Sequence, residues 1–264
     1  MDLKLEGKRA LVTGSTAGIG FAIARTLAAE GAAVTVTGRS QARVDRALDE
    51  LRGALPAAAL DGFAGDLSRA ETTAELTRRF PDIDVLVNNL GIFELKGFFD
   101  LETADWQRLI ETNFYSGARL SQFHLPRMLE RGWGRILFIS SESALDIPTE
   151  MIHYGVTKTM QLALSRALAK LCAGTKVTVN SLLAGPTRSE GISAFLADIA
   201  RDRGIDTQTA EREFFSQTRP NSLLRRFAET GEIAAFCAYL ASPLAAATNG
   251  AALRCDGGII NSIL

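Results

Sequence analysis

Histidine is nearly missing from this 264-residue sequence: His124 and His153 are the two it has, and they lie far apart. That scarcity argues against a histidine-based metal site and against a Ser–His–Asp triad. Cysteine is as sparse. Cys172, Cys237 and Cys255 are odd in number and widely spaced, and none forms a CxxC pair. Neither a disulfide framework nor a zinc site is indicated, no metal is expected, and the three read as small buried hydrophobes. No apolar run reaches the roughly 18 residues that a membrane-spanning helix needs, and the charged start from Met1 to Lys8 lacks the pattern of a signal peptide. An excess of one charge is missing too, since 29 basic and 30 acidic residues leave a net charge of -1. Such a chain has no field to gather nucleic acid or an anionic membrane, and neither is expected as a partner. These absences leave a cytoplasmic globular protein as the expectation.

What is present is core-forming material, 47% of it hydrophobic, laid out in a regular alternation. Apolar runs at Arg9–Thr13, Ala33–Thr37, Gly62–Gly65, Asp84–Val87, Arg135–Ser140, Val177–Leu183 and Ala251–Cys255 read as strands. Helical patterns fill the gaps at Ile19–Ala29, Gln41–Arg52, Ala70–Arg79, Ala104–Arg131, Tyr154–Cys172 and Glu229–Leu240. Strand–helix–strand repetition implies an α/β fold: one doubly wound, Rossmann-like parallel sheet of about seven strands with helices on both faces. The expectation is a single domain over residues 1–264. One segment breaks the rhythm. Residues 186–226 mix charge with Phe195, Leu196, Phe214 and Phe215, and an insertion at a strand's C-terminal end is where a lid over a ligand crevice belongs.

The first strand runs into Thr13, Gly14, Ser15, Thr16, Ala17, Gly18, Ile19 and Gly20 at a strand-to-helix junction. A diphosphate needs such a place, with side chains absent where the backbone approaches it and free N–H groups at a helix start. The second strand ends at Gly38, Arg39 and Ser40, without the Asp or Glu that holds the ribose hydroxyls of NAD. Arg39 offers a guanidinium suited to a 2′-phosphate, so NADP(H) is the expected cofactor, with NAD(H) as the alternative.

Tyr154 and Lys158 lie four apart at the start of a helical stretch and share one face. A nearby ammonium would lower the phenol towards neutral and make Tyr154 a general acid/base for a carbonyl or alcohol oxygen. With these residues in view the sequence resembles the short-chain dehydrogenase/reductase family over nearly its whole length. Thr13 to Gly20 is similar to the family's TGxxxGxG loop, and Tyr154 and Lys158 to its YxxxK pair. Asp66 with Leu67 resembles the acidic position at the adenine, and Asn88 to Gly91 the NNAG stretch, which gives Asn89 and Gly91 to the cofactor. Asn113 falls where the family keeps a helical Asn of its proton relay. Ser141 lies thirteen residues before Tyr154, the family's spacing for a substrate-orienting Ser. Gly185, Thr187 and Ser189 occupy the turn near the nicotinamide amide. Leu90 and Ala184 depart from the family's usual Ala and Pro.

The resemblance implies interconversion of a ketone and a secondary alcohol, with Tyr154 as proton donor, Ser141 orienting the oxygen, Lys158 holding the nicotinamide ribose and lowering the Tyr pKa, and Asn113 holding a relay water. It also implies a homodimer or homotetramer packed through the long helices. Phe93, Glu142, Ser143, Met151, His153, Ile192 and Phe195 are the candidate substrate contacts. Two rivals are a sugar-nucleotide epimerase or dehydratase, disfavoured by the glycine spacing and short C-terminal tail, and a non-enzymatic NADP-binding sensor, which has no need of an acid.

Overall fold

Seven apolar runs become seven strands: β1 (Arg9–Val12), β2 (Ala33–Gly38), β3 (Leu60–Ala64), β4 (Val85–Asn88), β5 (Gly134–Ser141), β6 (Val177–Ala184) and β7 (Ala252–Cys255). The computed structural model describes residues 1–263, apart from the side chains at positions 190, 191, 194 and 195. Among the described residues the strands form one sheet in the order β3-β2-β1-β4-β5-β6-β7, with every pairing parallel. β5 and β6 are buried at every position, as parallel strands covered on both faces must be. The chain reverses its direction of travel across the sheet between β1 and β4, and a crevice opens there beyond the strands' C-terminal ends.

The covering helices are α1 (Gly18–Ala29), α2 (Gln41–Ala54), α3 (Ala70–Arg79), α4 (Thr103–Leu109), α5 (Ser116–Glu130), α6 (Ile152–Leu171), α7 (Glu190–Arg203), α8 (Thr207–Glu213) and α9 (Thr230–Ala241). α1 buries Gly20, Ile23, Ala24, Leu27 and Ala28, the spacing of a single helical stripe. With Leu51 of α2 and Ile233 and Cys237 of α9 it packs on Val12 and Val36. On the other face Leu76, Leu120, Met128 and Ala169 pack on Leu11, Leu86 and Phe138. Among the described residues no helix is long and apolar enough to cross a membrane.

Two elements differ from the sequence reading. The expected helix Ala104–Arg131 is α4 and α5 joined by a wide π-helical turn, Ile110–Tyr115. Apolar periodicity does not register one widened turn, and such turns are frequent at functional sites. The segment 186–226, given no helix from the sequence, carries α7, α8 and a second π turn, Phe214–Thr218, around its own cluster of Leu196, Ala200, Ala210, Phe215 and Phe227. Its ends meet at a neck. The Arg188 N–H donates to the Ala228 carbonyl at 2.8 Å and the Ala228 N–H to that of Pro186 at 2.9 Å. Arg188 clamps the same point through Glu211 at 3.0 Å and Glu229 at 3.1 Å.

Candidate active site

The glycine loop needs its glycines. Gly14 and Gly18 sit at φ of +62° and +57°, which only glycine adopts freely, and a Cβ on Gly20 would run into the Gly14 carbonyl. Ala17 caps α1 without a side-chain hydrogen bond, which leaves the first N–H groups of the helix available. Gly14, Ala17, Ile19 and Gly20 line a cleft of about 970 Å³, so this bare backbone cradle fits a dinucleotide's diphosphate. The Ser15 hydroxyl cannot take part. It is fully buried, donates to the Val12 carbonyl at 2.7 Å and accepts from the Thr37 N–H at 2.9 Å. Ser15 therefore braces the loop.

Asn89 ties the β4 loop to the same cradle, its amide donating to the Thr13 carbonyl at 2.9 Å and that of Gly14 at 3.1 Å. Leu90 packs beneath, where a Cβ on Gly14 would come within 3.3 Å of its side chain. Arg39 and Ser40 are exposed at the end of β2, next to Thr16 across Gly38. Asp66 is exposed, and its Oδ1 accepts from the Ser68 N–H and hydroxyl at 3.1 and 2.8 Å. Leu67 is turned away, its side chain buried among Phe63, Leu76 and Leu11, so it offers a ligand no more than backbone. Ala184 lets β6 run one step further than a proline would, pairing Ser141 on one side and Cys255 on the other. Gly185, Thr187 and Ser189 then line the cleft.

Ser141 ends β5, and Tyr154 and Lys158 rise from the first turns of α6 to meet it, all three lining the cleft beside Gly91. Lys158 is 4% exposed, donates to the Ile139 carbonyl at 2.9 Å and lies 5.6 Å from the Tyr154 ring centre. Burial pulls the Lys158 ammonium down to about 8, with the negative charge of Glu142 opposing. The Tyr154 phenol moves the other way from expectation. Burial first, and Glu142 second, push it above its ordinary value, while a hydrogen bond with Ser141 opposes. The expected lowering by Lys158 is not what sets the direction, which comes from the enclosure of the ring and a neighbouring carboxylate.

Asn113 sits on the π turn, where its Oδ1 accepts from the Ile92 N–H at 2.8 Å and its amide donates to the Ile92 carbonyl at 2.9 Å and to Thr157 at 3.0 Å. Its own carbonyl accepts from Gln161 at 2.6 Å. It pins the loop after β4 to α6.

On the substrate side Phe93, Glu142, Ser143, Met151 and Ile192 line the cleft. His153 does not. It is fully buried behind the cleft with its ring edge-on to Trp106, 6.1 Å away. The side chain of Phe195 lies outside those described. The structure adds Glu150, Phe214, Arg219 and Ile259 to the lining. Arg219, at the end of the inserted segment, places Nε 3.4 Å from Glu142 and Nη1 3.5 Å from Glu150. No local pattern marks this contact, since its partners are 77 residues apart.

A parallel sheet with a glycine cradle at its switch point and a Ser–Tyr–Lys group beside it defines an NAD(P)-dependent oxidoreductase. The chain belongs to the short-chain dehydrogenase/reductase family: a family model described as "Enoyl-(Acyl carrier protein) reductase" matches residues 14–260. It is 47% identical to "Uncharacterized oxidoreductase YvaG" of Bacillus subtilis over the full length of both chains. It is 31% identical to "D-beta-hydroxybutyrate dehydrogenase" of Cupriavidus necator, over 96% of this chain and 98% of that one. Among solved structures it is similar to L-sorbose reductase from Gluconobacter frateurii complexed with NADPH and L-sorbose, with a TM-score of 0.94, 27% identity and all of both chains covered.

Proposed function

We propose that this chain interconverts a ketone and a secondary alcohol with NADP(H), using Tyr154 as the acid/base. The observation that carries this reading is the convergence of Ser141, Tyr154 and Lys158 in one cleft with the glycine cradle. The likeness to an L-sorbose reductase complexed with NADPH supports the cofactor. The loop from Gly14 to Gly20 would hold the diphosphate, Arg39 and Ser40 the 2′-phosphate, Asp66 the adenine, Asn89 and Gly91 the floor, Lys158 the ribose, and Gly185, Thr187 and Ser189 the nicotinamide amide. When bound, the nicotinamide supplies or takes up the hydride.

In reduction Tyr154 gives its phenolic proton to the substrate oxygen. Its raised pKa keeps that proton in place at neutral pH until the oxygen gains charge. Ser141 sets the position of that oxygen. Lys158, near 8, exchanges a proton at ordinary pH and can restore the phenol. Asn113 keeps the loop that carries Gly91 and Ile92 against α6. The chain works as one catalytic unit in which residues 186–226 form a lid, with Ile192, Phe214 and Arg219 over the substrate. It assembles as a homodimer or homotetramer through α5 and α6, and the exposed Tyr115 just before α5 and Leu171 at the end of α6 support this.

Tyr154→Phe keeps the ring and removes the proton. Turnover of NADPH with a ketone panel should fall by about 10² or more while NADPH still binds with its usual fluorescence change. Turnover near that of the wild type would overturn the assignment.

A further inference from the structure

Glu142 is a cleft-wall carboxylate that the mechanism above does not use. It follows Ser141 directly and is 5% exposed. The Ser141 hydroxyl donates to its Oε2, and the Ser143 N–H donates to the Ser141 oxygen at 3.1 Å. A serine hydroxyl has one proton. While Glu142 holds it, Ser141 presents a carbonyl oxygen with lone pairs alone and cannot position it. The other oxygen of Glu142 faces Arg219, whose side chain is 13% exposed. A carboxylate has about four acceptor positions, so Glu142 retains capacity beyond these two contacts.

We propose that Glu142 is a specificity-determining residue that accepts a hydrogen bond from a hydroxyl on the carbon next to the reacting carbonyl, so that the substrate is an α-hydroxy ketone or its vicinal diol. This rests on the reading of the cleft as a carbonyl-reducing site. Ser141 and Glu142 are one hydrogen bond apart. The carbonyl and hydroxyl oxygens of an α-hydroxy ketone, when they face the same way, are also about 2.7 Å apart. The substrate hydroxyl takes the place of Ser141 on Glu142, and the freed serine proton turns onto the carbonyl oxygen. A plain ketone has no donor to exchange and leaves Ser141 engaged. Arg219 holds the carboxylate at the wall and supplies the opposite charge that a buried carboxylate requires.

The test uses pairs that differ by one hydroxyl. Reduction of 2-butanone and 1-hydroxy-2-butanone with NADPH is measured for the wild type, Glu142→Ala and the isosteric Glu142→Gln. Butane-1,2-diol and 2-butanol are titrated calorimetrically into the same proteins with NADP+. The wild type should favour the hydroxy ketone about ten- to a hundred-fold in kcat/KM, a span equal to about one charge-assisted hydrogen bond. Glu142→Ala should lose most of that ratio, and reduction of the plain ketone should rise because Ser141 is released. Glu142→Gln, which keeps an acceptor oxygen, should fall between the two. A ratio that survives in both variants, or rates for both ketones that fall in step, would overturn the proposal while leaving the carbonyl-reductase reading intact. If the wild type reduces neither ketone, that underlying reading fails, and the titrations still decide on Glu142. A preference for the diol that Glu142→Ala abolishes supports its role; equal affinities, or a preference that persists, overturn it.

Discussion

Arg39 stands exposed at the end of β2 and holds no ion pair among the described residues. A guanidinium without a partner gives up nothing when a 2′-phosphate arrives, so its charge-assisted bonds go to the ligand. Arg39→Ala should weaken NADPH about ten- to a hundred-fold and barely affect NADH, measured by fluorescence titration of both cofactors. Equal weakening of the two would overturn the NADP(H) preference. The tempting companion change, Gly38→Asp, is not a clean test, because a Cβ at Gly38 would strike the Thr16 methyl group. At this scale the sequence is legible where chemistry is local. The glycine loop and the Tyr154–Lys158 pair are spacings within one turn, and both stand in the cleft. His153 misleads because it adjoins Tyr154 in sequence, whereas neighbouring positions on a helix point about 100° apart. Arg219 and Leu67 were beyond sequence reading, since what decides their roles is packing against distant chain.

The elements follow the same division. The five inner strands, β2, β1, β4, β5 and β6, are readable because burial on both faces demands continuous apolar runs. β3 is the least sharply bounded, as an edge strand whose one fully buried side chain is Phe63 leaves little pattern. α7 and α8 escape detection because their apolar residues face one another and not the sheet. That independence has a measurable consequence. Phe227 is fully buried, stacked on Phe214 at 5.1 Å and edge-on to Phe215 at 5.0 Å. Phe227→Ala should cost about 3–5 kcal/mol, concentrated in this cluster. Hydrogen exchange should then quicken across residues 190–218 while β5 and β6 keep their protection. Uniform acceleration through the sheet would show that the cluster is not separate.

For the molecule as a whole, acid stability should depend on His124, buried in α5 beside Arg127 and Arg131. Burial, aided by those charges, lowers it from 6.5 to about 4. Between those values the unfolded chain binds a proton that the folded one refuses, so stability falls as pH drops through this window, by about 3 kcal/mol at most. Melting curves of the wild type and His124→Leu should diverge in slope below pH 6.5, with the variant flatter. Parallel slopes would count against it. On α6, Ala163, Ala167 and Leu171 stand exposed along one side, the two alanines small enough for a second copy to approach closely and Leu171 apolar enough to be covered by it. The proposed oligomer should therefore appear in light scattering at micromolar concentration, and a monomer there would refute it. The neck at Arg188 and Ala228 has a consequence for descent. An insertion whose two ends meet at one clamp can be lengthened, shortened or exchanged without shifting the strand before it or the helix after it. Residues 190–227 thus form a cassette, whose exchange would remake the wall over the substrate and leave the glycine loop in place.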